Sequence, residues 1–143
     1  MATLAPYYNN ADTVAVSADG ETDTAFGELM ADGSTLPDPE IQTDALMDGR
    51  ALGAGATAAY QIRVLGADDT VTTTLQTARD AGTDQYFHFT NRGGTRETVI
   101  GPAKVTAVYE RPPTNTAQRG SVIVAFNVAG DNVDDFLTIN TIT

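Results

Sequence analysis

The sequence predicts a mainly β, α+β fold: an antiparallel β-sandwich, or a barrel-like sheet, flanked by one short α-helix in a single domain spanning residues 1–143. Three observations carry this. Short runs of alternating apolar and polar residues recur along the chain, separated by Gly, Pro, Asp and Asn. A single stretch, residues 66–82, has helical spacing of its apolar positions. At 143 residues, with an ordinary 41% hydrophobic content, the chain has material for one core and one domain.

The elements follow in order. "DTVAVSA" (12–18) alternates as a strand, and Asp19-Gly20 signals a turn after it. "TAFGELMA" (24–31) is a second short strand. Residues 32–56 lose the alternation and carry Pro37, Pro39, Gly33, Gly49, Gly53 and Gly55. They read as a long extended loop with room for one short strand at "EIQTDAL", and with "GAGA" (53–56) as a flexible piece. "TAAYQIRVL" (57–65) is a half-buried strand with Tyr60, Ile62 and Val64 on one face.

The helix within 66–82 starts at Asp68 or Asp69 as N-cap and stops at Gly82 in a left-handed cap. Val71, Leu75 and Ala78 share its apolar face, but its threonines make it dependent on packing. "DQYFHFTN" (84–91) is a strand with Phe87 and Phe89 together, turning at Gly93-Gly94. A long strand follows from about Glu97 to Arg111, with a break expected at Gly101-Pro102. Pro112-Pro113 stiffens the bend into residues 120–129, where Val122, Val124, Phe126 and Val128 form a core face. "DDFLTINTIT" (134–143) is one more strand, with Asp134-Asp135 as its solvated start.

Charge is distributed unevenly. Fourteen Asp and five Glu face seven Arg and the single Lys104, a net charge of −11. Residues 1–55 hold ten acids and only Arg50 as a base. Such Lys-poor, Asp-rich composition fits a protein made for strong salt, and a GC-rich genome gives the same Lys-to-Arg shift without salt. Under either reading, attraction to a phosphate backbone is disfavoured. No apolar run is long enough for a membrane span. "MATLAPYYNN" lacks the pattern of a secretory signal, so the expectation is a protein that folds in a cytoplasm or was cut from a precursor, with the initiating methionine against cutting.

The chemistry-bearing residues are few. Cysteine is absent, which removes disulfides, thiol nucleophiles and cysteine metal sites. His88 is the one histidine; alone in an aromatic strand it reads as structural, with no second histidine for a zinc site. Calcium-loop spacing, the P-loop and the dinucleotide fingerprint are missing. The expectation is a protein that is not an enzyme and has no catalytic residues, cofactor or metal.

In order and spacing, several segments resemble the major tail proteins, or tail tube proteins, of long-tailed phages and tailed archaeal viruses. "FGELMADGSTLPDPEIQTDALMDGRALGAG" resembles the family's strand, long Pro- and Gly-bearing loop and "dGr" turn. "AAYQIRVLGADDTVTTTLQTARDAGTDQYFHFT" resembles its strand, short helix and aromatic strand. "GPAKVTAVYERPPTNTAQRGSVIVAFNVAGD" resembles its closing hairpin, and the similarity spans nearly the whole chain. It implies a structural virion protein with a tail-tube-like fold, which assembles into hexameric rings stacked into a channel for genome delivery.

The implied partners are further copies of the chain, the tape measure, terminator and baseplate components, and viral DNA that passes through the lumen without specific binding. The implied location is the virion tail, with host cytoplasm during assembly, and no membrane. A Lys-poor chain would suit a virus of a salt-loving archaeon.

On this reading Leu36, Pro37, Pro39, Leu46, Met47, Arg50 and Leu52 form an inter-ring contact loop, and Glu40 and Asp44 are lumen-facing acids. Two other classes fit a small β-rich acidic chain. One is a capsid decoration or cement protein of a tailed virus. The other is a carbohydrate-binding or adhesion module, which the absence of Trp disfavours.

Overall fold

The computed structural model describes residues 12–45, 51–91, 94–111 and 120–141. Among these the strands are β1 (Asp12–Ser17), β2 (Thr24–Thr35), β3 (Glu40–Ala45), β4 (Ala51–Leu65), β5 (Asp84–Thr90), β6 (Arg96–Arg111), β7 (Ser121–Gly130) and β8 (Leu137–Thr141). One helix, α1 (Asp69–Ala81), lies between β4 and β5, and a 3-10 turn, Val133–Asp135, precedes β8.

Pairing runs β2-β1-β5-β6-β7-β4, all antiparallel, and β2 then pairs β4. That last ladder decides between sandwich and barrel: it closes six strands into a ring. Closure satisfies the backbone groups that an open sheet would leave at its edges. It occurs where β2 crosses close to β4, and Gly27 permits the approach. A Cβ there would lie 2.6 Å from Val64 Cγ1 and 2.7 Å from the Leu65 carbonyl.

The inward faces follow the alternation of the sequence. Val14 and Val16, Tyr60, Ile62 and Val64, Phe87 and Phe89, and Val122, Val124, Phe126 and Val128 are all buried in one core. Its centre is aromatic: the Phe87 and Phe126 rings stack at 4.0 Å, with Tyr60 tilted against Phe126 at 5.6 Å. Ile123, on the other face of β7, is buried as well, beside Arg63 and Tyr109 in the adjoining registers.

Helix α1 starts at Asp68, whose carboxylate accepts from Val71 N at 3.0 Å, and ends at Gly82 with φ 70°. Val71 and Leu75 join the barrel core, and Arg79 donates to the Val108 carbonyl at 3.4 Å, fixing the helix to β6. Four threonine hydroxyls, of Thr72, Thr73, Thr74 and Thr77, bond back to carbonyls four residues earlier. Such bonds add little helix stability, so packing holds this one.

Three expectations are corrected. Residues 32–56 are not one long loop: β2 runs on to Thr35 and β4 begins at Ala51, while β3 at Glu40–Ala45 is the short strand expected at "EIQTDAL". "GAGA" lies inside β4, paired with β3 and bulged opposite Gln42 and Thr43. Alternation is the mark of a strand with one buried face, and the adjacent Glu40 and Ile41 at the start of β3 are both exposed, so it does not show there.

The break expected at Gly101-Pro102 is a change of partner. β6 continues through it, pairing β8 over Arg96–Ile100 and β7 over Lys104–Arg111. Proline has no N–H to give either ladder, and Gly101 N donates instead to the Phe136 carbonyl at 3.0 Å. Asp134-Asp135 belong to the 3-10 turn, where Asp135 accepts from the Asp131 and Asn132 amides and strand structure waits until Leu137. The bend at Pro112-Pro113 and the tip residue Gly93 lie outside the described residues.

Candidate functional site

With the barrel closed, unpaired strand edges fall on the two strands appended to it. β3 pairs β4 alone and β8 pairs β6 alone among the described residues. Each keeps one row of N–H and C=O groups free, a template for another strand. Each also carries a large exposed apolar side chain, Ile41 at 70% and Ile139 at 61% exposure. Neither aliphatic chain packs into the core.

The β3–β4 arm holds most of the residues picked out by sequence. Pro37 and Glu40 are exposed and Pro39 is half-buried. Leu36, expected among the contact residues, packs against the chain's own core and anchors the root of the arm. Leu46, Met47 and Arg50 lie outside the described residues, as do the side chains of Asp44 and Leu52. By register Glu40 pairs Thr57 and Asp44 pairs Leu52.

At the base of the arm is a groove of about 740 Å³ between Pro37, Asp38 and Glu40 on one side and Asp84, Pro102 and Lys104 on the other. Its floor is the outer face of β4 and β7, with Thr57, Ala59, Asn127 and Ala129. Lys104 is spoken for, bonding Asp84 at 2.7 Å and the Gly82 carbonyl at 2.6 Å. The groove therefore presents Asp38 and Glu40 with no free cation among the described residues that line it.

A second cluster was invisible in the sequence. His88 points away from Phe87 and Phe89 yet is 2% exposed, because the turn after β1 lies over it. Its Nε2 lies 2.7 Å from Ser17 Oγ, which also accepts from Gly20 N. Its Nδ1 faces Glu97 Oε2 at 3.5 Å and Asp23 Oδ2 at 3.9 Å. The same turn is built on Asp19, whose carboxylate accepts from the Glu21 and Thr22 amides; these bonds hold it below the usual carboxylate range. Asp23 is far from His88 in the chain, so no spacing rule could have joined them.

No family model matches the chain, and no curated protein matches it. Among solved structures it is similar to an Hcp1 variant from E. coli EAEC 042, with a TM-score of 0.51 at 10% identity over 92% of this chain and 98% of that one. It is also similar to the tail of an empty GTA particle, refined with C6 symmetry (TM-score 0.49, 12% identity, 92% and 96% covered). A further Hcp protein gives 0.48 at 12% identity over 93% and 100%. The likeness to Hcp1 is one of fold, running nearly end to end in both chains.

Proposed function

We propose that the chain is a major tail tube protein, the repeating structural subunit of a tailed virus's tail. The observation that carries this reading is the division of the fold into a closed barrel and two appended strands, β3 and β8, with open edges. A barrel that satisfied all its own edges would be a self-sufficient monomer. Two different open edges on one subunit instead suit a head-to-tail contact, which repeats until it closes into a ring. The order of motifs along the chain and the fold shared with Hcp1 support the same reading.

In this arrangement rings of six copies stack into a tube. The β3–β4 arm reaches the adjacent ring, with Ile41 on the docking side. Glu40 turns toward the lumen, and Asp44 shares its parity along β3. Carboxylates there repel DNA phosphate and let the genome slide without sticking. The tube begins and ends on other tail components, and the protein acts in the particle as a conduit, with no reaction to catalyse.

Electron microscopy of the purified protein tests this directly. Rings or tubes of uniform diameter are expected. A population of featureless monomers at high concentration and high salt would overturn the proposal. Binding that requires a preformed capsid shell would replace it with the decoration-protein reading.

A further inference from the structure

We propose that Asp23, His88 and Glu97 form a binding site for a divalent transition-metal cation of the zinc class. The argument begins with the buried ring. His88 is 2% exposed, and its Nδ1 has no hydrogen-bond partner. A buried ring nitrogen without a partner is costly, and here it faces two carboxylates. When Nε2–H donates to Ser17 Oγ at 2.7 Å, Nδ1 is left as a bare lone pair aimed between two anions. That arrangement is relieved by a proton on Nδ1 or by a cation standing among the three groups, and the open position between the two carboxylates suits the cation.

The geometry fits a metal. The three donor atoms all lie within 4.8 Å of one another, with Nδ1 at 3.5 Å from Glu97 Oε2 and 3.9 Å from Asp23 Oδ2. Tetrahedral bonds of about 2.0–2.1 Å put neighbouring ligand atoms roughly 3.3–3.4 Å apart, so small side-chain movements would complete the set. The supporting contacts are of the kind metal ligands use. Ser17 holds the far nitrogen of the ring and is itself held by Gly20 N–H. Asn140 reaches Glu97 Oε1 at 3.4 Å, which leaves Oε2 for the site.

Ligand type selects the cation. One imidazole and two carboxylates suit zinc and its neighbours; magnesium and calcium prefer shells made wholly of oxygen. Two carboxylates balance the charge of a divalent ion, and Asp19 adds a further negative charge near His88. The Asp23 side chain is 42% exposed and that of Glu97 22%, so the ion enters from solvent. Once bound, it would clip the turn after β1 to β5 and to the start of β6, in a chain that has no cysteine to cross-link them.

The test uses the full chain, stripped with a chelator and returned to chelator-free buffer. ZnCl2 is titrated calorimetrically at neutral pH, and melting is followed with and without the salt. Wild type is expected to take one Zn2+ per chain in a saturable step and to melt at higher temperature. MgCl2 should produce no such shift. Asp23→Asn and Glu97→Gln, both at partly exposed positions, should each weaken Zn2+ binding by about ten- to a hundred-fold or more while leaving the unloaded melting temperature near wild type. Non-saturable uptake, or equal affinity in both variants, would assign the zinc to the acidic surface at large and overturn the site. A His88→Gln chain that folds must also lose the saturable step.

Discussion

At the scale of the residue, the aromatic centre sets the stability of the barrel. Phe126 is fully buried between the stacked Phe87 ring and Tyr60. Phe126→Ala removes both contacts and leaves a cavity that strands on either side cannot collapse into. Denaturant unfolding should register a loss of about 3–5 kcal/mol. Tyr60 adds a pH dependence. Burial, and then the nearby charge of Asp38, raise its phenol above the ordinary value. An unfolded chain ionises this group near pH 10, roughly the free value. Above that pH the unfolded state releases a proton that the folded state still holds. Stability is therefore intact below the unfolded pKa and falls as pH climbs from there toward the folded one. Melting temperatures between mildly and strongly alkaline pH should drop more steeply for wild type than for Tyr60→Phe.

Elements respond to closure and to the arm. β2 can cross β4 because Gly27 has no side chain, and the atoms a methyl group would strike include the Leu65 carbonyl, which is backbone. Gly27→Ala should cost about 1–3 kcal/mol, the range for overpacked positions, with the loss read in chemical unfolding. An unchanged midpoint would mean that β2 shifts along β4 without penalty. The arm makes the opposite prediction. Ile41 is 70% exposed and supports no core, so Ile41→Lys should leave subunit stability within about 0.5 kcal/mol. If the free edge of β3 joins a neighbour, the same substitution should abolish ring or tube formation in sedimentation, because a charge on the edge blocks strand addition. Assembly at wild-type level would place the contact elsewhere.

For the whole molecule the dominant quantity is charge. Each copy carries −11, and a closed ring repeats it at every interface. Near 0.01 M salt the Debye length is about 30 Å, so neighbouring copies repel across their contacts; near 1 M it is about 3 Å. Assembly should therefore strengthen with salt, as followed by light scattering. Replacing Glu40 and Asp44 together by Gln and Asn should let tubes persist to lower salt. Equal stability at both extremes would reject electrostatic control, and a double variant with unaltered salt dependence would reject only those two residues.

Much of the fold was legible in the sequence because its cause is local. Val122, Val124, Phe126 and Val128 alternate because β7 has a buried face, and Asp68 and Gly82 bracket α1 because the first turn needs a side-chain acceptor and the left-handed stop favours a residue without a Cβ. The arm was partly legible: "EIQTDAL" read as a short strand, but the full lengths of β2 and β4 did not, because Gly33, Gly53 and Gly55 read as loop residues where they lie in strands. The Gly101-Pro102 step announced an interruption but not its kind: a strand that exchanges β8 for β7 and one that stops carry the same dipeptide. Tertiary structure alone decided the rest. Barrel rather than sandwich depends on the β2–β4 ladder, and the cluster of Asp23, His88 and Glu97 depends on a turn folding over a distant strand. Residue type and spacing record what each segment needs from its neighbours. Which distant segment supplies it is fixed only when the chain closes on itself.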